Sequence, residues 1–293
     1  MENFTIGAGI VTYNRKKLFI ECFNSLLNQS YSLDFLYIFD NASNDGTSEW
    51  INDFLRSYHK NKPKIVYLRS NENGGSSLGF YELSFKMFND GIDYILITDD
   101  DVIFEKEYIE KFLNYIKQEP EIKIFTSVMV KDFESKEIKG KSPIFAGGII
   151  NREVFEKCGF PRKDFFIYWD DVEFIIRTEK AGYKIKVCQD IYCIHDQKPI
   201  YLNAKIKNIN FFVKKMEISN INEWKFYYAY RNMVITLVTH QKWNDLSIKI
   251  LKSFIKSTFF ILIGEFKKAF LIFWGLKDGF LMKTGKNEKV FKF

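Results

Sequence analysis

Through the first hundred residues, short and nearly continuous apolar runs alternate with segments in which apolar residues recur every three or four positions. Residues 5–12, 35–40, 65–69 and 94–98 read as strands, and residues 17–28, 47–58 and 78–89 as amphipathic helices. Strands apolar on both faces, set between such helices, predict a parallel α/β sheet. Ligands of such sheets bind at the carboxyl ends of the strands. Those ends carry Tyr13-Asn14-Arg15, Asp40-Asn41, residues 71–75 and Asp99-Asp100-Asp101, so the polar loops converge on one edge. Neither GxGxxG nor GxxxxGK[ST] occurs, which excludes a dinucleotide fingerprint and a P-loop.

Further along, a helix is expected over 105–118, then a strand and a charged loop over 131–141. Gly147 and Gly148 interrupt the apolar run 144–150, where they permit either close approach by a ligand or a bulge. A helix starts at Arg152. The aromatic segment 165–169 leads through Asp170 and Asp171 into a helix over 172–181 that Gly182 closes. The positive helix end favours ionised carboxylates at Asp170 and Asp171, although either could serve only as an N-cap. A strand over 184–188 follows. Beyond Asn203 the pattern turns to long helices, in which Lys249, Lys252 and Lys256 form one basic stripe beside Ile250, Leu251, Phe254, Ile255 and the run 259–263. The expected organisation is a catalytic domain over 1–204, with halves 1–101 and 102–204, and a basic amphipathic helical region over 205–293.

Composition narrows the classes. With 293 residues, 46% of them hydrophobic, the chain can bury a full core, and disorder is excluded. Cys22, Cys158, Cys188 and Cys193 lack metal-finger spacing and read as reduced core residues of a cytosolic protein. The first residues already read as a strand, and no signal peptide is expected. Residues 1–199 hold 26 basic and 31 acidic side chains, and residues 200–293 hold 17 and 6. Such a basic tail suits an anionic partner. Its Phe254, Phe259, Phe260, Phe266, Phe270, Phe273 and Trp274 favour a membrane surface, and no nucleic-acid motif is present. The apolar run 259–263 falls far short of the roughly 20 residues that span a bilayer.

Carboxylates as crowded as Asp99, Asp100 and Asp101 repel one another by several kcal/mol where water is scarce, and a divalent cation relieves that repulsion. The cluster therefore argues for Mg²⁺ or Mn²⁺ facing a nucleotide, with a solvated acidic turn as the plain alternative. Asp99 and Asp101 are the better ligand candidates, because alternate positions at a strand end point the same way.

In chain order, VTYNR, FDNASNDGT, NENGGSSLGF, DYILITDDDV, FAGGIINREVFEKCGFP and IYWDDVEFIIRTEKAGYKI resemble the motifs of inverting family 2 glycosyltransferases with the GT-A fold. The triple Asp, the WDD motif and His195, 24 positions after Asp171, resemble the bacterial galactofuranosyltransferases in particular, and rhamnosyltransferases carry similar loops. The resemblance implies a Rossmann-like, mostly parallel GT-A sheet. It implies donor binding by Thr12, Asn14, Arg15, Asp40, Asn41, Asn71, Gly75, Asp99 and Asp100. Asp99, Asp101 and His195 would hold Mn²⁺ or Mg²⁺, and the mixed ligand set suits Mn²⁺ better. Asp171 would be the general base, with Trp169, Asp170, Gly147 and Gly148 facing the acceptor.

The activity implied is transfer of galactofuranose from UDP-galactofuranose, with inversion, to a lipid-linked or cell-surface glycan. The enzyme would sit in the cytoplasm, peripherally on the inner face of the cell membrane. Alternatives are a rhamnosyltransferase or other UDP-hexose transferase and, more distantly, a nucleotidyltransferase or a non-catalytic membrane scaffold. A nucleotidyltransferase would carry a Gly-rich basic first loop, and residues 11–17 contain no glycine.

Overall fold

The computed structural model describes residues 4–195 and 222–292. These divide into two compact units, the first holding residues 4–195, 239–241 and 284–286 and the second the remainder. The boundary expected near residue 204 lies outside the described residues.

The first unit runs β1 (Ile6–Thr12), α1 (Lys16–Leu27), β2 (Phe35–Asp40), α2 (Thr47–Ser57), β3 (Lys64–Arg69), α3 (Gly75–Asn89), β4 (Tyr94–Asp99), β5 (Val102–Phe104), α4 (Tyr108–Gln118), β6 (Ile124–Val130), β7 (Ile138–Lys141), β8 (Ile149–Asn151), α5 (Arg152–Cys158), α6 (Asp170–Lys180) and β9 (Ile185–His195). One sheet joins the strands in the order β3-β2-β1-β4-β8-β6-β9-β5, with β7 on β6. The first half, β3-β2-β1-β4, is wholly parallel, as the alternating pattern predicts. The second half is mixed: β6 pairs β9 in parallel, while β8 lies antiparallel to both β4 and β6, and β5 antiparallel to β9. The four parallel pairings register six residue pairs each and the antiparallel ones only two or three, so the sheet is mostly parallel as expected, with its antiparallel pairings confined to the second half. Strand β8 is entered from a short 3-10 turn, with no helical crossover to carry the chain back in the parallel sense.

The core lies on both sheet faces. Phe19, Cys22 and Phe23 of α1 with Tyr108, Ile109 and Phe112 of α4 fill one. The other takes Phe80, Leu83 and Met87 of α3, Phe155 of α5 and Phe174 of α6. Covered on both sides, β1 is buried at every position, which explains its continuous apolar run. All four cysteines are free, and three are buried.

Several boundaries moved. The helix expected from 105 begins at Tyr108, because the Glu105 carboxylate is committed to Lys111 and to the Tyr192 backbone N–H. Part of the charged loop pairs as β7, and β9 continues past residue 188 to His195.

The second unit is helical: α7 (Trp224–Thr239, ending in the first unit), α8 (Trp243–Leu262), α9 (Phe266–Phe280) and α10 (Glu288–Lys292). From Phe226 to Leu237, α7 is buried on every side. Gly275 and Gly279 bring α9 against it, since a Cβ at Gly275 would lie 2.4 Å from the Tyr227 carbonyl oxygen. The basic stripe of α8 is split, with Lys252 exposed and its two neighbours turned inward. Lys249 and Lys256 are half-buried, with the Lys256 ammonium 5.2 Å from the Phe226 ring centre, and burial pushes the Lys256 pKa down to about 8. Ser253, Ser257 and Phe260 face inward beside them. No helix among the described residues is long and apolar enough to cross a membrane.

Candidate active site

Parallel register brings the loop residues together. Thr12 pairs with Asp40 and Val11 with Asp99, so the ends of β1, β2 and β4 lie level at one sheet edge. Thr12, buried, donates its hydroxyl to Asp100 at 2.7 Å. The Arg15 guanidinium donates to Asp100 at 3.2 Å and to Asp101 at 2.9 Å. Asn14, with φ of 51°, receives the Asn44 backbone N–H on its side-chain oxygen, which joins the first and second loops.

Asp40 is fully buried, and both its oxygens are engaged: one accepts from the Ser43 N–H at 2.8 Å, the other from the Tyr67 hydroxyl at 3.0 Å. It orders the second loop. The Asn41 amide accepts from the Gly74 N–H and donates to the Gly75 carbonyl, each at 2.9 Å. Gly75 has φ of 82°, and a Cβ there would lie 1.8 Å from the Phe166 carbonyl oxygen. Only glycine fits this contact, which fastens the start of α3 to the segment preceding the WDD motif. Asn71 lies exposed in the bend after β3.

His195 comes from the far end of the chain's first unit. In the antiparallel pairing of β5 with β9, Val102 lies opposite His195, so the ring reaches Asp101 and its Nε2 stands 3.0 Å from Oδ1. One ligand atom each from Asp99, Asp101 and His195 falls within 4.8 Å of the others. This set fits a divalent ion, with two hard oxygens and one imidazole nitrogen. Burial, and then the charges of Asp101 and Asp100, hold the Asp99 carboxyl well above the usual range. Burial likewise lifts Asp100 to about 6, against the pull of Arg15. At Asp101 burial is outweighed by the His195 bond and by the charges of His195 and Arg15, and its pKa falls. Carboxylates crowded in this way could accommodate a divalent ion.

The WDD segment borders this cluster. Phe166, Tyr168 and Trp169 all adopt φ between 68° and 69°, a conformation costly for non-glycine residues and concentrated at functional sites. Tyr168, unnoticed in the sequence, lies near Asp99 and Arg15, and burial raises its phenol pKa. Trp169 is almost fully buried. Asp170 opens α6 and is buried. Its Oδ2 has no hydrogen-bond partner among the described residues, and the Ser77 hydroxyl stands nearby outside bonding geometry. Burial, then the charge of Asp171, raises Asp170 to about 7. Asp171 is the more accessible of the two; its Oδ1 accepts from the Val172 N–H at 2.7 Å, and burial raises its pKa as well.

Gly147 and Gly148, expected to admit an acceptor, are approached by the protein itself. A Cβ at Gly147 would lie 2.5 Å from the Ser142 hydroxyl, and one at Gly148 would lie 2.6 Å from the Ile144 carbonyl oxygen. Both are buried, so internal packing accounts for the pair. Sequence reading also passed over Glu173. Buried on α6, it accepts from Arg177 at 2.8 Å and contacts His240 Nε2 at 3.0 Å, while Arg177 also donates to the Cys158 and Phe160 carbonyls. A Glu-to-Arg spacing of four on a helix was visible, but the histidine is 67 residues away.

A parallel half-sheet whose carboxyl edge gathers acids and one histidine beside a second, mixed half defines the GT-A class of fold, and solved structures agree. Staphylococcus aureus TarS residues 1–349, in complex with UDP, matches with a TM-score of 0.54 at 14% identity, over 80% of this chain and 66% of that one. The mannosyltransferase PcManGT from Pyrobaculum calidifontis, in complex with GDP-Man and Mn²⁺, gives 0.55 at 15% identity over 81% and 64%. Residues 8–187 match the family model for glycosyl transferase family 2, and the chain belongs to that family. Over 115 residues it is 36% identical to the abequosyltransferase RfbV of Salmonella typhimurium, a match covering 39% of this chain and only 33% of that relative's length.

Proposed function

We propose that the chain is an inverting, metal-dependent glycosyltransferase that moves galactofuranose from UDP-galactofuranose onto a glycan or lipid-linked oligosaccharide, peripherally on the cytoplasmic face of the cell membrane. The observation that carries this reading is the convergence of Asp99, Asp101 and His195 within 4.8 Å, with the Asp170 carboxylate close enough to act on Asp99. Mn²⁺ or Mg²⁺ bound by the three would stabilise the departing nucleoside diphosphate.

The chain's own residues supply the rest. Thr12 and Arg15 hold Asp100 in place; Asn14, Asp40 and Asn41 shape the loops that receive base and ribose, with Asn71 and Gly75 at their margin. Asp171, accessible beside the buried Asp170, takes the proton from the acceptor hydroxyl. That oxygen forms the new bond to the anomeric carbon as the bond to the diphosphate breaks on the opposite face, which inverts the centre. Asp170, lifted to about 7, can when protonated donate a hydrogen bond to an acceptor hydroxyl. The strained turn at Trp169 sets the direction of both carboxylates.

A second reading, transfer of a deoxyhexose, is favoured by the 36% identity to an abequosyltransferase. A donor screen with Mn²⁺ tests both, using UDP-galactofuranose, UDP-galactose, UDP-glucose, dTDP-rhamnose and a nucleotide-linked abequose. Turnover of UDP-galactofuranose alone supports the first reading. Binding of dTDP much more tightly than UDP in calorimetry removes the galactofuranose assignment and leaves glycosyl transfer standing.

A further inference from the structure

On the second unit, the outer side of α8 is apolar along its whole length. Ile248, Leu251, Ile255, Phe259 and Leu262 recur every three or four residues, and Leu251 and Leu262 are 63% and 79% exposed. The chain reverses at Gly264, and α9 continues the surface with Phe266, Phe273 and Phe280, the first of them 65% exposed. Phe254 and Phe273 meet at 5.6 Å between ring centres, which locks the two helices as a hairpin. Large aliphatic and aromatic side chains on two adjoining helices make an exposed patch of the kind that marks an interaction surface.

Charge identifies the partner. Residues 242–283 contain eight lysines and three acids, and two of the acids are already paired, Asp278 with Lys283 and Glu265 with Lys268. Lys252 and Lys277 are exposed on the same two helices, while the exposed Lys267 is paired with Glu223. A second copy of this chain would set lysines against lysines with few carboxylates to answer them, whereas anionic lipid headgroups supply the missing charge.

We propose that the α8–α9 hairpin lies in the plane of an anionic bilayer, with its Ile, Leu and Phe face sunk among the acyl chains and its lysines held at headgroup level. This deepens the peripheral-membrane part of the proposed function and rests on it. The binding energy comes from apolar insertion, and the half-buried Lys249 and Lys256 are not its source. A helix of 20 residues, about 30 Å long, provides an in-plane contact.

Cosedimentation of the full chain with vesicles of phosphatidylcholine and phosphatidylglycerol tests this. The wild type should bind and remain largely bound at about 0.5 M salt, where screening has shortened the reach of charge to a few ångströms. Leu251→Gln, Ile255→Gln and Phe259→Gln together should weaken vesicle affinity about tenfold or more, while Lys252→Gln changes it by less than about threefold. Melting temperature and turnover on a short soluble acceptor should stay at wild-type values; if the triple variant fails to fold, Leu262→Gln with Phe266→Gln at the hairpin tip replaces it. Binding that vanishes with salt and survives the apolar substitutions overturns the inference and leaves the membrane reading intact. No vesicle binding removes both and leaves the transferase reading untouched. A wild-type dimer that the triple variant converts to monomer, without vesicle binding, assigns the face to a second copy and also overturns the proposal.

Discussion

His195 stands 3.0 Å from Asp101 although 94 residues separate them, because the register of β5 on β9 sets Val102 opposite His195. The register thereby brings an imidazole to the acidic cluster at the end of β4, where Asp99, Asp101 and His195 could together hold a divalent ion. Chelation should abolish glycosyl transfer, Mn²⁺ should restore it, and His195→Ala should raise the Mn²⁺ concentration for half-maximal activity about tenfold or more. Undiminished turnover in excess EDTA would remove the metal from the reaction.

The two carboxylates at the start of α6 should separate kinetically. Asp171→Asn should leave UDP binding unchanged and lower turnover about 10²-fold or more, the usual consequence of losing a positioned base. If Asp170→Asn gives that loss and Asp171→Asn does not, the buried residue is the base.

Asp170 should also set a stability gradient with pH. Its carboxyl is raised from the ordinary 3.8 to about 7, so the unfolded chain ionises it first as pH rises. Stability is then lost progressively between those values and stays lower above the folded value. Asp170→Asn should accordingly raise the melting temperature at pH 8 in the presence of chelator, with the gain shrinking toward pH 4. Thermal melts across that range decide it, and a pH-independent gain would refute the assignment.

Glu173 is held by Arg177 and His240 while α6 carries the acid pair two residues away. Glu173→Gln should cost about 3 kcal/mol in urea unfolding, since it leaves a partly buried guanidinium under-compensated. A loss below about 0.5 kcal/mol would mark the cluster as energetically idle.

Two glycines with nearly the same φ should respond differently to alanine. At Gly91, φ is 79° and nothing lies within 4 Å of an added Cβ, so Gly91→Ala should cost only the left-handed strain, about 1 kcal/mol. At Gly75 the φ is 82°, but the Cβ would collide with the Phe166 carbonyl. Gly75→Ala should cost more than about 3 kcal/mol or leave the protein insoluble. Equal effects on denaturation would show that the Gly75 contact yields.

Much of the first half was legible because its signals are local. Strand β1 is covered on both faces and therefore reads as an unbroken apolar run, and the loops after β1, β2 and β4 reach one edge because parallel strands send their carboxyl ends the same way. The second half was read less well. A strand of three residues such as β8 carries too few side chains to declare its direction, and β9 looked finished at residue 188 although pairing with β5 and β6 carries it to His195.

By itself, then, the sequence determined the α/β alternation, the crowding of Asp99, Asp100 and Asp101 at a strand end, and a helix beginning close after Trp169, since each depends on neighbours within a few residues. Only the tertiary structure decided that His195 joins Asp101, that Gly147 and Gly148 are filled by Ser142, Tyr108 and Ile144, and that Lys256 turns inward while Leu251 and Leu262 face out. The physical reason is that strand register, close packing and the choice of which helix face is covered are properties of pairs of elements, and one element's residue pattern does not specify the partner that will meet it.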